Sequence, residues 1–440
     1  MKIKHHLIIV LTALSLFSCT KNNKVEKPNV ILIMADDMGY ECLSCYGSTS
    51  YKTPNLDKLA HQGILFSECV SQPLCTPSRV KIMTGLHNYR NYEYFGYLNS
   101  NQYTFGNLMK DAGYTTCIAG KWQLNGLYFK DKTTEWNDNK RPNRFGFDEY
   151  CLWQLTKKGN EGERFANPLI EQNGKTLDRN IDDYGPEVFA NYILDFINRK
   201  KDEPFFIYYP MVLVHNPFVP TPDSKEWQDQ NLRYKKDTAY FKDMVAYTDK
   251  IVGKITDKLK ALNLDDNTIV IFTGDNGTNT AITSYTNKRV VQGGKGNTID
   301  AGTHVPLIVS WPEKIRKGFV YDKLIEFSDF FPTLAELAGK EVKSDGESFF
   351  KVLSGETHTS RKTAFVYYDP QWSKNVNRYR NIFVRTLDYK LYQNGKFYNL
   401  AKDILERYPL VMDSLTEKEM EIKTLLEKEL KKHPVLKSNH

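Results

Sequence analysis

The chain has 440 residues, a formal net charge of +7, 40% hydrophobic and 26% charged residues, the balance of a globular protein with room for a large core or two domains. The cationic excess is modest at this length and there is no lysine or arginine run, which argues against nucleic acid as a partner while suiting an anionic substrate. Cysteines fall at 19, 42, 45, 69, 75, 117 and 151, a scatter that does not form a disulfide framework.

Residues 1–18 carry a basic start at Lys2 and Lys4 and an apolar run over 7–17, the pattern of a secretory signal and too short for a permanent membrane span. Leu16-Phe17-Ser18-Cys19 resembles a bacterial lipobox, which implies cleavage before Cys19, a lipid on its sulfur and 19–28 as a lipidated tether. Export to the periplasm or cell surface of a bacterium is the expectation, with the lipid at Cys19 as the sole membrane contact.

From residue 29 the chain alternates β-like and helix-like segments. Residues 30–34 form a continuous apolar run ending in Asp36-Asp37, which reads as a buried strand delivering two carboxylates at its carboxyl end. Thr53-Pro54 opens a helix closed by Gly63, and 64–70 is strand-like. Cys42 and Cys45 make a C-x-x-C without a second pair, which suits a packed loop better than a zinc or redox site. In Cys75-Thr76-Pro77-Ser78-Arg79, Pro77 is expected at the first helical position, Gly85 ends the helix and Cys75 faces its N-terminus, where N–H groups and the dipole favour an anion.

Further along, a helix over 105–112 stops at Gly113, and a strand over 114–119 runs into Gly120-Lys121-Trp122. A helix is expected over 187–198, a strand over 205–209 shortly before His215, and a long amphipathic helix over 240–262. The buried strand 268–273 ends in Gly274-Asp275-Asn276-Gly277, followed by a strand over 305–311 and a helix over 329–337. Past residue 360 come short strands over 364–368, 383–386, 390–392 and 397–400, with Asn394-Gly395 as a hairpin turn. Thr416 and Glu419 form a capping box ahead of a helix carrying Ile422, Leu425 and Leu426.

The alternation predicts a doubly wound α/β domain with a mainly parallel sheet over 29–360 and a C-terminal subdomain over 361–440, a small antiparallel sheet with one helix. Ligands of such sheets sit beyond the carboxyl ends of the strands. Asp36, Asp37, Lys121, His215, Asp275 and Asn276 each follow a strand, so they are expected to converge there. Three carboxylates and an amide are hard oxygen donors that suit calcium or magnesium, and adjacent buried Asp36 and Asp37 demand a counter-charge.

Cys75-Thr76-Pro77-Ser78-Arg79 resembles the C-x-P-S-R signature of type I sulfatases, in which the cysteine is oxidised after translation to formylglycine by a dedicated maturation enzyme. The resemblance runs from about 29 to 406, and implies the alkaline-phosphatase-like sulfatase fold. It also implies a calcium ion held by Asp36, Asp37, Asp275 and Asn276 together with residue 75. Arg79 steadies the aldehyde hydrate, and Lys121 stands for the lysine of the family's G-K-W-H-L-G. His215 in His215-Asn216-Pro217 matches its H-x-P, Lys295 matches the lysine of G-x-K-G, and 385–399 looks like its C-terminal subdomain. The implied reaction is hydrolysis of a sulfate ester: Lys121, Lys295 and His215 surround the sulfate, and His215 or Lys295 protonates the departing oxygen.

Gln123 departs from the pattern, standing where the family has histidine. Glutamine orients a hydroxyl but cannot shuttle a proton near neutral pH, which leaves open another base or a loss of activity. The alternatives are a phosphoryl hydrolase of the same superfamily and an inactive sulfoglycan-binding lipoprotein. The expected substrate is a sulfated carbohydrate. Candidate contacts are Trp122, Asn125, Trp372, Arg378 and Arg380, with Tyr92, Tyr94, Phe95, Tyr368 and Asp369 as further loop residues.

Overall fold

The structure is a computed structural model describing residues 27–312, 314–355 and 361–436. The expected leader, Cys19 and most of the tether lie outside the described residues. The strands in chain order are β1 (Asn29–Ala35), β2 (Gly63–Val70), β3 (Thr115–Lys121), β4 (Glu149–Trp153), β5 (Ile170–Gln172), β6 (Lys175–Thr176), β7 (Phe205–Pro210) and β8 (Thr268–Gly274). A hairpin of β9 (Thr283–Tyr285) and β10 (Val290–Gln292) follows, then β11 (His304–Ser310), β12 (Phe319–Glu326), β13 (Ala364–Tyr368), β14 (Asn381–Arg385), β15 (Tyr389–Tyr392) and β16 (Phe397–Asn399).

Ten strands form one sheet in the order β12-β2-β11-β8-β1-β7-β3-β4-β5-β6. Its centre, β8-β1-β7-β3-β4, is parallel throughout, and only β11 and β5 run against the rest. Every residue of β1 is buried. Its side chains alternate between two cores: Ile31, Ile33 and Ala35 pack on one face with the helices Gly185–Arg199 and Tyr240–Ala261. Val30, Leu32 and Met34 pack on the other with Phe105–Asp111 and Phe330–Leu337. Burial on both faces is why β1 reads as an unbroken apolar run instead of an alternating one.

Helix α1 (Pro54–His61) starts with its proline in the first turn. Helix α2 (Cys75–Thr84) ends at Gly85 in the left-handed conformation (φ 67°), as its sequence indicates. Its start differs from the expectation. Cys75 is itself the first helical residue, Leu74 is the extended N-cap, and Pro77 sits third. Proline costs nothing there, because the first turn has no intrahelical use for that N–H.

Strands β13 to β16 form a four-stranded antiparallel sheet. Helix Glu417–Leu430 covers one face, entered through the capping box of Thr416 and Glu419 (3.0 and 3.3 Å). Leu426 is its buried contact and Ile422 packs partly, whereas Leu425 faces solvent. The opposite face, through Val366, Phe383 and Tyr392, packs on Leu74, Cys75 and Phe95. The small sheet therefore backs the start of α2. A buried link reinforces this contact: Lys81 Nζ donates to Glu326 Oε2 (3.1 Å) and to the Phe365 carbonyl (2.9 Å), while Phe365 N–H donates to the same carboxylate (3.1 Å).

Gly120 in β3 has φ 121°, and a Cβ there would lie 2.0 Å from the Pro210 carbonyl oxygen of the neighbouring chain segment. Gly120→Ala should therefore lower stability in chemical denaturation by about 2–4 kcal/mol, since both the backbone conformation and the inter-strand spacing forbid the methyl. An unchanged denaturation midpoint would contradict this account of the β3–β7 contact.

Candidate active site

The carboxyl edge of the parallel strands is extended by hydrogen bonds beyond the strands themselves. Asp36 N–H donates to Leu213 O (2.7 Å), Val214 N–H to Asp36 O (2.8 Å), and Asp275 N–H to Ala35 O (2.9 Å). These bonds bring the residues after β1, β7 and β8 into one place. Gly274 permits it, because a Cβ there would lie 2.0 Å from the Met38 carbonyl oxygen. Asp37 adopts φ 61°, a left-handed conformation uncommon outside glycine. Its N–H then reaches Asp275 Oδ1 (2.9 Å), the kind of local strain that clusters at functional sites.

Asp36, Asp37, Asp275 and Asn276 are fully buried, and cations compensate the carboxylates. Lys121 Nζ lies 2.9 Å from both oxygens of Asp36. Arg79 donates to Asp275 Oδ2 (3.3 Å) and to the Lys121 carbonyl (3.0 Å). Lys295 Nζ donates to Asp37 Oδ2 (2.6 Å) and His215 Nε2 (2.9 Å). Arg164 brings a further guanidinium to 3.7 Å from Asp36 Oδ2 and lays it over the Trp153 ring at 4.1 Å. Arg164 sits in the connection between β4 and β5, where no strand end or motif marks it.

The charges set the protonation states. Burial pushes the Asp36 carboxyl up, but Lys121 foremost among its neighbours outweighs burial and holds it well below the usual carboxylate range. Burial and then the Asp36 charge push Asp275 up to about 7, against the pull of Arg79. Burial followed by the Lys295 ammonium pushes His215 well down. Its Nδ1 meets the Asn216 carbonyl at 2.5 Å, so Nε2 is the bare nitrogen that accepts from Lys295. Burial raises the Cys75 thiol.

The cluster fits a hard cation. Asn276 Nδ2 is spent on Asp37 Oδ1 (2.9 Å) and Gly277 O (3.0 Å). Its Oδ1 is buried with no hydrogen-bond partner among the described residues, an arrangement that calls for an explanation such as an ion. Asp36, Cys75 and Asp275 each offer a ligand atom within 4.8 Å of one another, as do Asp36, Asp37 and His215. Carboxylate and amide oxygens predominate, the donor set of calcium or magnesium.

A cleft of about 270 Å³ opens onto this cluster, lined by Cys75, Gln123, Arg164, His215 and Lys295, by the buried Phe95 and by Tyr128, with Trp372 and Tyr379 exposed to solvent. Trp372 stacks on Phe95 with ring centres 4.1 Å apart. The other proposed substrate contacts do not line it. Trp122 is buried and bonds Asn125 Oδ1 (2.5 Å), and Asn125 in turn bonds the Asp138 carbonyl (3.0 Å). Arg380 is paired with Asp369 (2.9 Å), and Arg378 lies over the Tyr379 ring (4.5 Å). Tyr92 and Tyr94 are likewise taken up, the first by the Pro370 carbonyl (2.5 Å) and the second by stacking on Tyr97, while Tyr368 is buried in the core behind Cys75. A larger cavity, about 750 Å³ between Tyr40, Glu68 and Leu400, does not include Cys75. Several of its charged groups pair with one another, Arg385 with Asp300 (3.1 Å) and Glu68 (3.3 Å).

Residues 28–340 match the sulfatase family model, and 295–435 match that of the N-sulphoglucosamine sulphohydrolase C-terminal region. The chain belongs to the sulfatase family. It is 31% identical over 418 residues to an N-acetylgalactosamine-6-sulfatase of Canis lupus familiaris, covering 86% of this chain and 75% of that protein. It is 29% identical over 412 residues to an N-acetylgalactosamine-6-O-sulfatase of Bacteroides thetaiotaomicron, covering 77% and 78%. A protein solved with its substrate D-glucosamine-2-N,6-O-disulfate superposes with a TM-score of 0.74 over 92% of this chain and 98% of that one, at 23% identity. The fold is that of the sulfatases, and the enzyme is a sulfuric ester hydrolase.

Within this sulfatase, the Lys295 ammonium and burial together keep His215 neutral. Lys295→Met should raise the His215 pKa, because removing an adjacent cation favours the imidazolium. Titration of the imidazole by NMR in calcium-free protein checks this, and an unmoved or lowered pKa would contradict the assignment.

Proposed function

We propose that this sulfatase removes an O-sulfate from an amino sugar of a sulfated glycan, with the 6-O position of an N-acetylhexosamine as the preferred target. The observation that carries this reading is the convergence of Cys75, the buried carboxylates and a surplus of cations at the base of one cleft. The names of the relatives support the sugar and the position. Oxidation of Cys75 to formylglycine supplies a hydrated aldehyde as oxygen nucleophile, and calcium held by Asp36, Asp37, Asp275 and Asn276 supplies positive charge beside it.

The chain's own residues supply the rest. Arg79 and Lys121 are locked by their carboxylate and carbonyl partners, so their charge is in place before substrate arrives, which is the form of electrostatic stabilisation that costs no reorganisation. His215 presents a bare Nε2 and carries no proton of its own to deliver. Lys295 is the protonated member of the pair: burial pulls its pKa down, but Asp37 foremost among its neighbours outweighs burial and pushes it up. It therefore meets the departing sugar oxygen as a fixed positive charge, with His215 as its partner. The face of Trp372 turned away from Phe95 offers an apolar surface at the cleft mouth for a pyranose ring. A phosphoryl hydrolase would call for a Ser or Thr nucleophile and several histidine ligands, whereas the cluster contains His215 alone among the described residues.

Before it acts, the enzyme needs a maturation enzyme that oxidises Cys75. Export and a lipid at Cys19, supported by the basic start and apolar run of 1–18, would place it where sulfated glycans arrive from outside.

Sulfate release should be seen from N-acetylgalactosamine 6-sulfate or N-acetylglucosamine 6-sulfate and not from 4-sulfated counterparts. Turnover confined to 4-sulfated sugars, or to none of the panel by aldehyde-containing protein, would overturn the proposal. Lys121→Ala or Lys295→Ala should lower kcat/KM by roughly a hundredfold or more, since each removes a fixed charge from a water-poor site. Little change would argue against their roles. Calcium binding must drive the proton off Asp275, whose metal-free pKa is about 7. Calorimetry should therefore find calcium binding weaker at pH 6 than at pH 8 by on the order of tenfold. Affinity independent of pH would show that no proton is displaced from Asp275 on calcium binding.

A further inference from the structure

The position that departs from the family pattern, Gln123, has a definite orientation imposed on it by Tyr128 in the cleft wall and by Gln154 behind it. Gln123 and Gln154 follow the adjacent parallel strands β3 and β4, and the ladder continues past both strands: Trp122 N–H donates to Trp153 O (3.0 Å) and Gln123 N–H to Gln154 O (3.2 Å). Both glutamines then turn into the left-handed conformation, with φ 54° and 55°. Two buried side chains are thereby swung together.

Their amides form a chain that reads in one direction. Gln154 Nε2 donates to the Lys158 carbonyl (2.9 Å). A peptide carbonyl only accepts, so this bond fixes which end of the Gln154 amide faces away and leaves Oε1 towards Gln123. That oxygen also only accepts, so Gln123 must present its amide nitrogen, and Nε2 donates to Gln154 Oε1 (3.0 Å) and to the Tyr128 hydroxyl (2.8 Å). Tyr128 closes the network by donating to Gln154 Oε1 (3.2 Å). With both hydrogens of Gln123 Nε2 used, its Oε1 is directed at residue 75, 3.9 Å from Cys75 Sγ.

We infer that Tyr128 and Gln154 are positioning residues, and that the relay running from the Lys158 carbonyl through Gln154 to Gln123 holds a fixed hydrogen-bond acceptor against residue 75. The inference rests on the proposed function in that residue 75 works as the hydrated aldehyde, one hydroxyl of which donates to Gln123 Oε1. An acceptor of this kind orients the hydroxyl and favours the hydrate over the free aldehyde. It takes no proton and acts by orientation alone.

A double-mutant cycle separates this role from a merely structural one. Gln123→Ala and Gln154→Leu should each lower kcat on the order of tenfold, the loss of one orienting hydrogen bond, with KM nearly unchanged. Their combination should be no worse than Gln123→Ala alone. Tyr128→Phe, which removes only a hydroxyl, should act in the same direction and more weakly, and thermal melting should show all variants folded. Activity is not the only readout. Methoxyamine captures the free aldehyde, and mass spectrometry of the oxime at residue 75 should show faster capture in Gln123→Ala and Gln154→Leu, with no further gain in the double variant. In protein produced without maturation, alkylation of the Cys75 thiol by iodoacetamide should rise in the same coupled pattern. Additive losses in the double variant, or oxime and alkylation rates that ignore both substitutions, would overturn the relay. If no oxime forms even in the unsubstituted protein, the formylglycine reading fails instead, and the alkylation pattern alone decides the relay.

Discussion

The ion pair between Lys121 and Asp36 is the constraint around which the rest of the molecule is arranged. Both side chains are fully out of water and bonded at 2.9 Å through both carboxylate oxygens. Breaking the pair would cost at most roughly 3–5 kcal/mol, since the guanidiniums of Arg164 (3.7 Å) and Arg79 (3.9 Å) also stand near Asp36. The pair sits at the ends of β1 and β3, separated in the sheet by β7, and it fixes their relative height at the carboxyl edge. Asp275 and Asp37 join the same cluster through Arg79 and Lys295. One charge network thus determines both how the central strands end and where the reactive groups lie.

Residue 75 is held against this network by packing on its other side. Leu74 and Cys75 belong to one apolar cluster with Val366, Tyr368, Phe383 and Tyr392 of the C-terminal sheet. Lys81, one and a half turns into α2, is anchored to Glu326 and to the backbone of Phe365. The start of α2 is therefore clamped between the large sheet's charged edge and the small sheet's apolar face. Trp372 stacks on Phe95 at the cleft mouth, so the C-terminal region both backs the nucleophile and forms part of the entrance.

Much of this arrangement is legible in the sequence because it follows from strand endings. Asp36-Asp37, Gly120-Lys121 and Asp275-Asn276 each close an apolar run, and parallel sheets gather such endings at one edge. His215 follows β7 at a distance of five residues, close enough to share it. Lys295 is different: it follows β10 of the separate hairpin and no strand of the large sheet, so only the family resemblance marks it. Arg164, Tyr128 and Gln154 escape sequence reading for a physical reason. They lie in connections whose paths are set by long-range contacts, and Gln154 follows β4, whose apolar run of four residues is too short to assign by period alone. The edge strand β12 is missed for a related cause, since its exposed Asp322 and Lys323 break the apolar pattern, as edge strands do. Trp122 and Asn125 show the converse. Adjacency to Lys121 in sequence suggested the cleft, but side chains alternate across a strand end, and theirs turn into the protein to bond one another.

Mass spectrometry of the peptide containing residue 75, taken from preparations of graded specific activity, tests the central claim most directly. The arrangement of Arg79, Lys121, Asp36 and Asp275 around this position predicts that turnover of a 6-sulfated amino sugar rises in proportion to the fraction of Cys75 converted to the aldehyde. Full turnover by protein whose residue 75 remains entirely a thiol would contradict it.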